Sequence, residues 1–384
     1  MNEIALTELK PKLYFTKYLY LDEGYVLLAP ETPVTPELIA RLTRWEFRNL
    51  KTEGVPTELI TGEEEGEAPA EEAPRPAENG PDDERLEGVL GFYAKFTEYV
   101  DGLYTQFVTK NHLDYRELME RMKGVYELVA ENKRLVLRAL AAAPPLKNYL
   151  VSHAVRSSIL SIALGSALKL PPFRLIELGG AAVLHEIGMV RLPAQLYMAG
   201  RQLSPVERKS ITAHPVLGYN LLKEHQVPLA VCLAALEHHE RMNGSGYPRA
   251  LTGDKISLYS RIIMVACSYD AVTSSRPYKE AKEGYAGMVD ILKNEGKQYD
   301  ETVIRALVYS LSIYPIGSRV LLTSGKKALV VDVNPENPRY PIVQILGAKT
   351  PDGKDIVIRT SETSVRVLRP LTKEEAAAEA QAKA

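Results

Sequence analysis

The stretch that decides the fold runs from residue 238 to residue 248 and reads HHERMNGSGYP. Two adjacent histidines and a glutamate lead directly into Gly244-Ser245-Gly246-Tyr247-Pro248. Glycines permit backbone conformations that are closed to other residues. The pattern therefore predicts a specifically shaped loop placed immediately after a pair of imidazoles.

Histidine is concentrated in the same part of the chain, where six of the seven histidines lie between residues 153 and 239. Outward from His238-His239, the others in this set with a recognisable order are His214, the His185-Glu186 pair and His153. Imidazole is a common ligand for Zn, Fe, Mn and Ni, so clustered histidines with carboxylates indicate a metal site. Adjacent helical residues point about 100° apart, so a His-Glu pair can address two neighbouring ions or one ion from two sides.

Residues 146–312 resemble the HD-GYP domain, a branch of the HD phosphohydrolase superfamily associated with cyclic di-GMP hydrolysis. Four blocks carry the resemblance in order along the chain: His185-Glu186-Ile187-Gly188, His214-Pro215-Val216-Leu217-Gly218, the stretch 238–248, and the stretch 261–278. The resemblance implies an all-helical domain that acts in bacterial signalling.

The same resemblance implies two divalent metal ions, with Fe or Mn favoured. It makes His185 and Glu186 the catalytic pair, whose carboxylate can bridge both ions. The complete implied ligand set is His153, His185, Glu186, His214, His238 and His239. Two such metal ions can activate water for attack on a phosphodiester. The implied substrate is cyclic di-GMP, and the implied product is linear pGpG or GMP.

The resemblance also implies a substrate side. Gly246, Tyr247 and Pro248 belong to the loop that gives the domain its name, and Arg276 and Lys279 stand where the family places cations that contact the cyclic dinucleotide. An Arg fork suits a phosphate or a guanine edge. The alternative for Arg276 is a surface salt bridge.

Two carboxylates depart from the family pattern. Glu186 replaces the aspartate of the signature pair, which moves the carboxylate outward by one methylene. Cys267 stands where the family has a metal-binding aspartate. A thiolate can bind Zn or Fe, but the favoured interpretation is a small buried residue, since free cysteine commonly is one. Asp270, three residues further on, could partly compensate.

Two further positions depart from the pattern. Met189 replaces a lysine, and losing a cation near a scissile phosphate commonly costs about 10²–10³ in rate. Arg191 is near in sequence. Tyr149 replaces a glutamate that some members use for a third metal, so no third metal is expected. His225 and His112 match no ligand position and are expected to be exposed or structural.

Two function classes follow. The first is a metal-dependent phosphodiesterase whose activity these departures would weaken. The second is a catalytically degenerate domain that acts as a cyclic di-GMP receptor or a protein-interaction module. Another phosphohydrolase substrate, and a scaffold whose terminal modules do the work, stay open. Metal content separates the first two, because a pair of ions favours the enzyme.

Composition and charge indicate which partners and which cellular location to expect. Lys and Arg number 47 against 49 Asp and Glu, which is no polyanion-binding signature, so DNA is not an expected partner. The N-terminus shows no signal peptide pattern, and no apolar run approaches the roughly 18–20 residues that span a bilayer. Two cysteines, Cys232 and Cys267, form no disulfide framework. We expect a cytoplasmic protein without a membrane partner.

The pattern along the chain predicts a mainly α fold with two small terminal modules, either of which could hold a homodimer or a protein partner. The predicted segments are an N-terminal α/β module over 1–60, a flexible acidic linker over 61–86, a helical region over 87–145, the HD-GYP domain over 146–312, a small antiparallel β module over 313–371, and a tail over 372–384.

Overall fold

Helices dominate the fold between residues 79 and 311, and antiparallel strands lie before and after them. The structure is a computed structural model that describes residues 2–11, 13–17, 19–20, 26–28, 34, 36, 39, 42–43, 49–58, 79–142, 148–199, 201–275, 281–293, 298–334, 336–372 and 375–376. The chain divides into two units, Met1–Glu72 and Ala73–Ala384. The predicted mainly α class is confirmed.

The N-terminal unit contains two small antiparallel sheets, one of order β1-β5-β3-β4 and one that pairs β2 with β6. The strands are β1 (Asn2–Ala5), β2 (Leu13–Phe15), β3 (Leu19–Tyr20), β4 (Val26–Leu28), β5 (Asn49–Thr52) and β6 (Pro56–Glu58). Their apolar side chains, among them Phe15, Leu19 and Leu50, form a separate buried cluster.

Two long helices open the second unit, α1 (Asn79–Lys110) and α2 (Tyr115–Ala142). Phe96, Val100, Leu103 and Phe107 recur every three or four residues on α1, and all four are buried, as their helical spacing predicts. The start of α1 at Asn79 corrects the predicted linker, which was expected to continue to residue 86. A proline and three acidic residues at positions 81–84 suit the first turn of a helix, and this outweighs the linker-like composition.

Nine further helices complete the helical part that the structure describes. They are α3 (Tyr149–Ala167), α4 (Pro172–Leu184), α5 (Ala194–Tyr197), α6 (Pro205–Ile211), α7 (His214–Glu224), α8 (Leu229–Glu237), α9 (Leu258–Thr273), α10 (Gly284–Leu292) and α11 (Glu301–Leu311). Short 3-10 turns cover Leu6–Glu8, Ile187–Arg191 and Gly253–Lys255.

Helix α3 is the centre of the helical bundle and packs against α4 and α9. Among the described helices it alone is long and apolar enough to cross a membrane by length and composition, yet 78% of its apolar window is buried inside the fold. A core helix of a globular domain has the same composition. Its burial fixes the position of the histidine that it carries.

The C-terminal strands form one antiparallel sheet of order β10-β9-β8-β7-β11. They are β7 (Arg319–Leu322), β8 (Lys327–Asp332), β9 (Ile342–Lys349), β10 (Asp355–Arg359) and β11 (Val367–Pro370). Val320, Leu322, Ala328 and Val330 alternate into a buried cluster. A cavity of about 460 Å³ lies between this sheet and the helices, and Arg156, Tyr269 and Arg319 are among the residues that line it.

Candidate metal centre

The predicted histidines lie at the ends or inner faces of the helices that pack around α3. His153 is on α3, His185 directly follows α4, His214 begins α7 and His238 directly follows α8. All four are buried. Residues far apart in the chain are therefore brought to one place by the packing of apolar helices, and the imidazoles point inward.

The potential ligands form two groups. The first contains Glu186, His214, His238 and His239, and the second contains His153, His185 and Cys267. Within each group one ligand atom from every residue lies within 4.8 Å of the others. The groups meet where His185 Nε2 lies 4.0 Å from Glu186 Oε1. All six predicted ligands, and Cys267 with them, are thus brought together.

Backbone carbonyls orient three of the imidazoles in the same way. Nδ1 of His185, His214 and His238 each donates to the carbonyl oxygen three residues earlier, at 2.7, 2.7 and 2.9 Å. A carbonyl only accepts, so Nδ1 carries the hydrogen and Nε2 of the neutral ring is left with a free lone pair. This is the tautomer that a metal ligand needs.

A buried carboxylate orients His153. Asp270 Oδ2 lies 2.6 Å from His153 Nδ1, and the other oxygen accepts from Arg156 and from Ser274, the latter at 2.7 Å. Both carboxylate oxygens are therefore occupied. Asp270 does not replace the carboxylate that the family has at position 267, which corrects the compensation expected from its spacing. Asp270 therefore positions the imidazole of His153, a candidate ligand, and has no free oxygen with which to bind a metal.

Unpaired buried atoms test whether the site fits a metal. His185 Nε2 and Glu186 Oε2 are buried and make no hydrogen bond to the protein. Nε2 of His214 lies 3.1 Å from Nε2 of His238 and 3.2 Å from Glu186 Oε2. A buried polar atom without a partner costs about 1–3 kcal/mol. Nitrogen and oxygen donors converging in this way fit a divalent cation, which would satisfy them together.

The electrostatics favour the deprotonated forms that bind cations. Burial alone would raise the pKa of Glu186, but the surrounding imidazoles, His214 foremost, lower that pKa to about 2. Burial, with repulsion from neighbouring imidazoles, holds the pKa values of His238 and His239 well below 6.5. The carboxylate is therefore charged and these two rings neutral at neutral pH.

Cys267 is buried beside His153 and His185, and its Sγ lies 3.4 Å from the carbonyl oxygen of Met264. Burial would raise the pKa of this thiol, but hydrogen bonds and charge from the two imidazoles lower it to about 6. Burial would in turn lower the pKa of His153, yet Asp270 and Cys267 raise it to about 9. In the metal-free protein the thiolate and the imidazolium stabilise each other.

Close backbone contact places His214 against Glu186. A Cβ added at Gly188 would lie 2.0 Å from the carbonyl oxygen of His214 and 2.5 Å from the backbone nitrogen of Gly218. No side chain fits there, so the turn that follows Glu186 packs directly on the start of α7. This contact explains why glycines stand at both positions.

The 244–248 loop lies over the first donor group. The ring of Tyr247 stacks on His239 with centroids 4.7 Å apart, and its backbone nitrogen donates to the carbonyl oxygen of His239 at 3.1 Å. A Cβ on Gly246 would lie 2.4 Å from the backbone nitrogen of Arg241, so only glycine allows this approach. Gly246, Tyr247 and Pro248 thus lie beside the donors, as the motif implies.

Glu240 holds this loop and was not foreseen as a site residue. Its two carboxylate oxygens accept from the backbone nitrogens of Arg249 and Leu251 at 2.7 and 2.9 Å, and the side chain is fully buried. The sequence contains one indication of this role, because Glu240 directly follows His238 and His239. Its partners lie nine and eleven residues further along the chain, which the sequence does not show.

Several predicted residues stand apart from the two groups. Arg276 and Lys279 lie outside the described residues. Met189 is partly buried against the helical core, and Arg191 donates to Asn111 Oδ1 at 2.8 Å, so Arg191 does not replace the lysine of the family. Tyr149 stacks on His153 with ring centroids 5.5 Å apart.

The two other histidines are not ligands. His112 is exposed, as predicted. His225 was expected to be exposed but is half-buried, because its Nε2 lies 2.9 Å from the carbonyl oxygen of Asn111 and its ring packs on Phe107. It joins α7 to the end of α1.

Comparison with known proteins agrees with this geometry. The HD domain family matches residues 135–303, a range that starts and ends earlier than the predicted 146–312. A cyclic di-GMP phosphodiesterase of Borreliella burgdorferi is 30% identical over 199 residues, 52% of this chain and 52% of that protein. One of Pseudomonas aeruginosa is 34% identical over 226 residues, 57% of this chain and 54% of that protein.

The chain therefore spans about half the length of these curated relatives. Among solved structures, a HDG"Y"P protein from Bdellovibrio bacteriovorus has a TM-score of 0.49 at 16% identity, covering 80% of this chain and 97% of that one. Residues 135–303 thus match the HD domain family, and the HHERMNGSGYP stretch is similar to the motif of the HD-GYP proteins.

Proposed function

We propose that this protein is a metal-dependent phosphodiesterase that hydrolyses cyclic di-GMP to pGpG or GMP. The observation that carries the proposal is the meeting of two donor groups at His185 and Glu186, whose inward atoms have no protein partner. The two similar curated proteins named above are cyclic di-GMP phosphodiesterases, which supports the substrate. Two divalent ions, Fe or Mn, complete the proposed site.

The ligand set divides between the two positions. Glu186, His214, His238 and His239 hold one ion, and His153 with His185 holds the other, with Glu186 between them. When bound, such an ion pair activates water and neutralises phosphate oxygens. Backbone carbonyls at Nδ1 leave Nε2 of His185, His214 and His238 unprotonated, and burial of the donors excludes solvent.

The proposed substrate-binding surface includes the 244–248 loop, which lies over the first donor group. Gly246, Tyr247 and Pro248 present a shaped surface beside His239, and Arg276 and Lys279 supply the cations for the phosphates or guanines of the dinucleotide. We further propose a cytoplasmic location, no DNA or membrane partner, and homodimer or protein contacts through the terminal modules.

The test is turnover of cyclic di-GMP by purified protein reconstituted with Fe or Mn, with bound metal counted. The variant His214→Ala is expected to lose a metal and to lower the turnover by at least about 10²-fold. His112→Ala is the matched control, because His112 is exposed and outside both groups, and it should retain full turnover. Equal turnover of His214→Ala and His112→Ala would contradict the proposal.

A receptor is the second candidate, and one observation favours it. The lysine of the family is replaced by Met189, which packs against the core, and Arg191 is held by Asn111. The predicted cation for the developing charge is therefore missing from the described part of the site. Saturable binding of cyclic di-GMP without any turnover in the metal-loaded protein would establish the receptor. Turnover above that of the His214→Ala variant would exclude it.

A further inference from the structure

The two donor groups differ in chemical character. The group around Glu186 offers imidazole nitrogens and carboxylate oxygens, and the group around His153 offers two imidazoles and a thiol. Among the residues that the structure describes, this second group contains no carboxylate of its own. A thiolate is a softer ligand than a carboxylate and favours Zn²⁺ or Fe²⁺ over Mn²⁺ and Mg²⁺.

We infer that Cys267 is a ligand of the second metal position and sets its metal preference, so that this position selects Zn²⁺ or Fe²⁺ over Mn²⁺. The inference rests on the proposed metal pair. It differs from the interpretation favoured by the sequence, in which Cys267 is only a small buried residue.

The position of the thiol carries the assignment. Cys267 lies one helical turn before Asp270 on α9, and its Sγ lies within 4.8 Å of ligand nitrogens of both His153 and His185. It also donates a weak hydrogen bond to the carbonyl oxygen of Met264, at 3.4 Å. A sulfur placed for apolar packing alone would face aliphatic side chains instead of two imidazoles.

The sulfur of Cys267 is the third donor atom of the group, beside Nε2 of His153 and Nε2 of His185. His153 Nδ1 is taken by Asp270 and His185 Nδ1 by a backbone carbonyl, so both rings present Nε2 to the same space. His185 Nε2 has no protein partner. Asp270 is fully used by His153, Arg156 and Ser274, so it does not compete with the thiol for the ion.

The test uses Co²⁺ as a spectroscopic probe of the full-length protein. A thiolate ligand gives Co²⁺ an intense near-ultraviolet charge-transfer band that nitrogen and oxygen ligands do not give. We expect this band in the wild-type protein, its loss in Cys267→Ser and Cys267→Asp, and its retention in Cys232→Ser. Cys232 is the matched control, because it is also buried but belongs to neither donor group.

Metal competition gives a second readout. The ratio of Zn²⁺ to Mn²⁺ affinity at this position should fall by about tenfold or more in Cys267→Asp, because a carboxylate restores a hard ligand. An unchanged ratio would overturn the assignment. Two Co²⁺ ions bound by the wild type without the band would overturn it as well and leave the metal pair intact, whereas no bound Co²⁺ would overturn both the assignment and the proposed function.

Discussion

The carboxylate of Asp270 and the imidazole of His153 form a buried pair, with Oδ2 2.6 Å from Nδ1, although 117 positions separate them in the chain. Neither side chain has more than 3% of its surface exposed. The pair fixes the ring so that Nε2 faces the other donors. Carboxylates that hold metal-binding imidazoles in this way commonly contribute 10-fold to 100-fold in metal affinity.

Replacing Asp270 by Asn should therefore weaken metal binding at the His153 position by about 10-fold to 100-fold. It should also lower the free energy of unfolding by about 3–5 kcal/mol, because the buried guanidinium of Arg156 loses its counter-ion. Metal titration and chemical denaturation measure the two effects. The control Asp254→Asn removes an aspartate whose side chain is 96% exposed and should change neither. Wild-type metal affinity in Asp270→Asn would show that Asp270 does not position the ligand.

Replacing Gly188 by Ala should separate the turn after Glu186 from the start of α7. The added methyl would lie 2.0 Å from a backbone oxygen, and backbone cannot move aside as a side chain can. We expect a loss of about 1–3 kcal/mol in unfolding free energy, together with weaker metal binding at the Glu186 position.

The matched control for that variant is Gly102→Ala on α1, where an added Cβ meets nothing within 4 Å. This change should stabilise the protein by about 0.5–1 kcal/mol, because alanine is the better helix former. If thermal denaturation showed Gly188→Ala to be as stable as Gly102→Ala, the close contact would be disproved.

Replacing Glu240 by Gln should loosen the 244–248 loop. An amide presents a donor to one of the two backbone nitrogens that Glu240 now accepts from, which costs about 1–3 kcal/mol. Under the proposed function the loop contacts the substrate, so the KM for cyclic di-GMP should rise while the number of bound metals is unchanged. The exposed Glu224→Gln serves as the control. A lost metal with an unchanged KM would place Glu240 in the metal site instead of the loop.

The stability of the metal-free protein should fall in acid and should change little between about pH 6.5 and pH 9. The pKa values of His238 and His239 are depressed in the folded state, so their contribution is present above 6.5 and is lost as the pH falls. The pKa of Glu186 is also depressed, to about 2, so its contribution is lost between 4.5 and about 2. The pKa of His153 is raised to about 9, so its contribution is full below 6.5 and is lost as the pH rises to about 9. The pKa of Cys267 is lowered to about 6, so its contribution grows as the pH rises from 6 to 9 and offsets the loss from His153.

Denaturation in the presence of a chelator, between pH 4 and pH 9, measures this profile. The variant Cys267→Ser should remove the offset, so its stability should fall from pH 6.5 to pH 9 while the acid side is unchanged. A Cys267→Ser profile as flat as that of the wild type over this range would refute the assigned ion pair around His153.

The convergence of His185, His214, His238 and His239 could be predicted from the sequence because each occurs within a local motif that resembles the HD-GYP family. The helical bundle and the C-terminal sheet could be predicted because their apolar residues recur with helical or strand spacing. The position of strand β11 within the predicted β module could not be predicted, because Arg366 and Arg369 flank Val367 and Leu368 without a clear apolar alternation.

The supporting residues could not be predicted because their roles depend on packing between distant segments. Asp270 reaches His153 only because α9 lies against α3. Cys267 faces the histidines for the same reason, and its sequence neighbours, Ala266 and Ser268, give no indication of a metal. The sequence also left open whether Arg191 reaches the site, and the structure shows that it donates to Asn111 instead.

The central claim is that two donor groups, joined by Glu186, hold a pair of metal ions. The most direct measurement is electron paramagnetic resonance of the Mn²⁺-reconstituted protein, together with a count of metal per chain. Two ions per chain with a magnetically coupled spectrum is the predicted result. A folded protein that binds at most one ion in excess Mn²⁺ and Fe²⁺, with no coupling, would contradict the account.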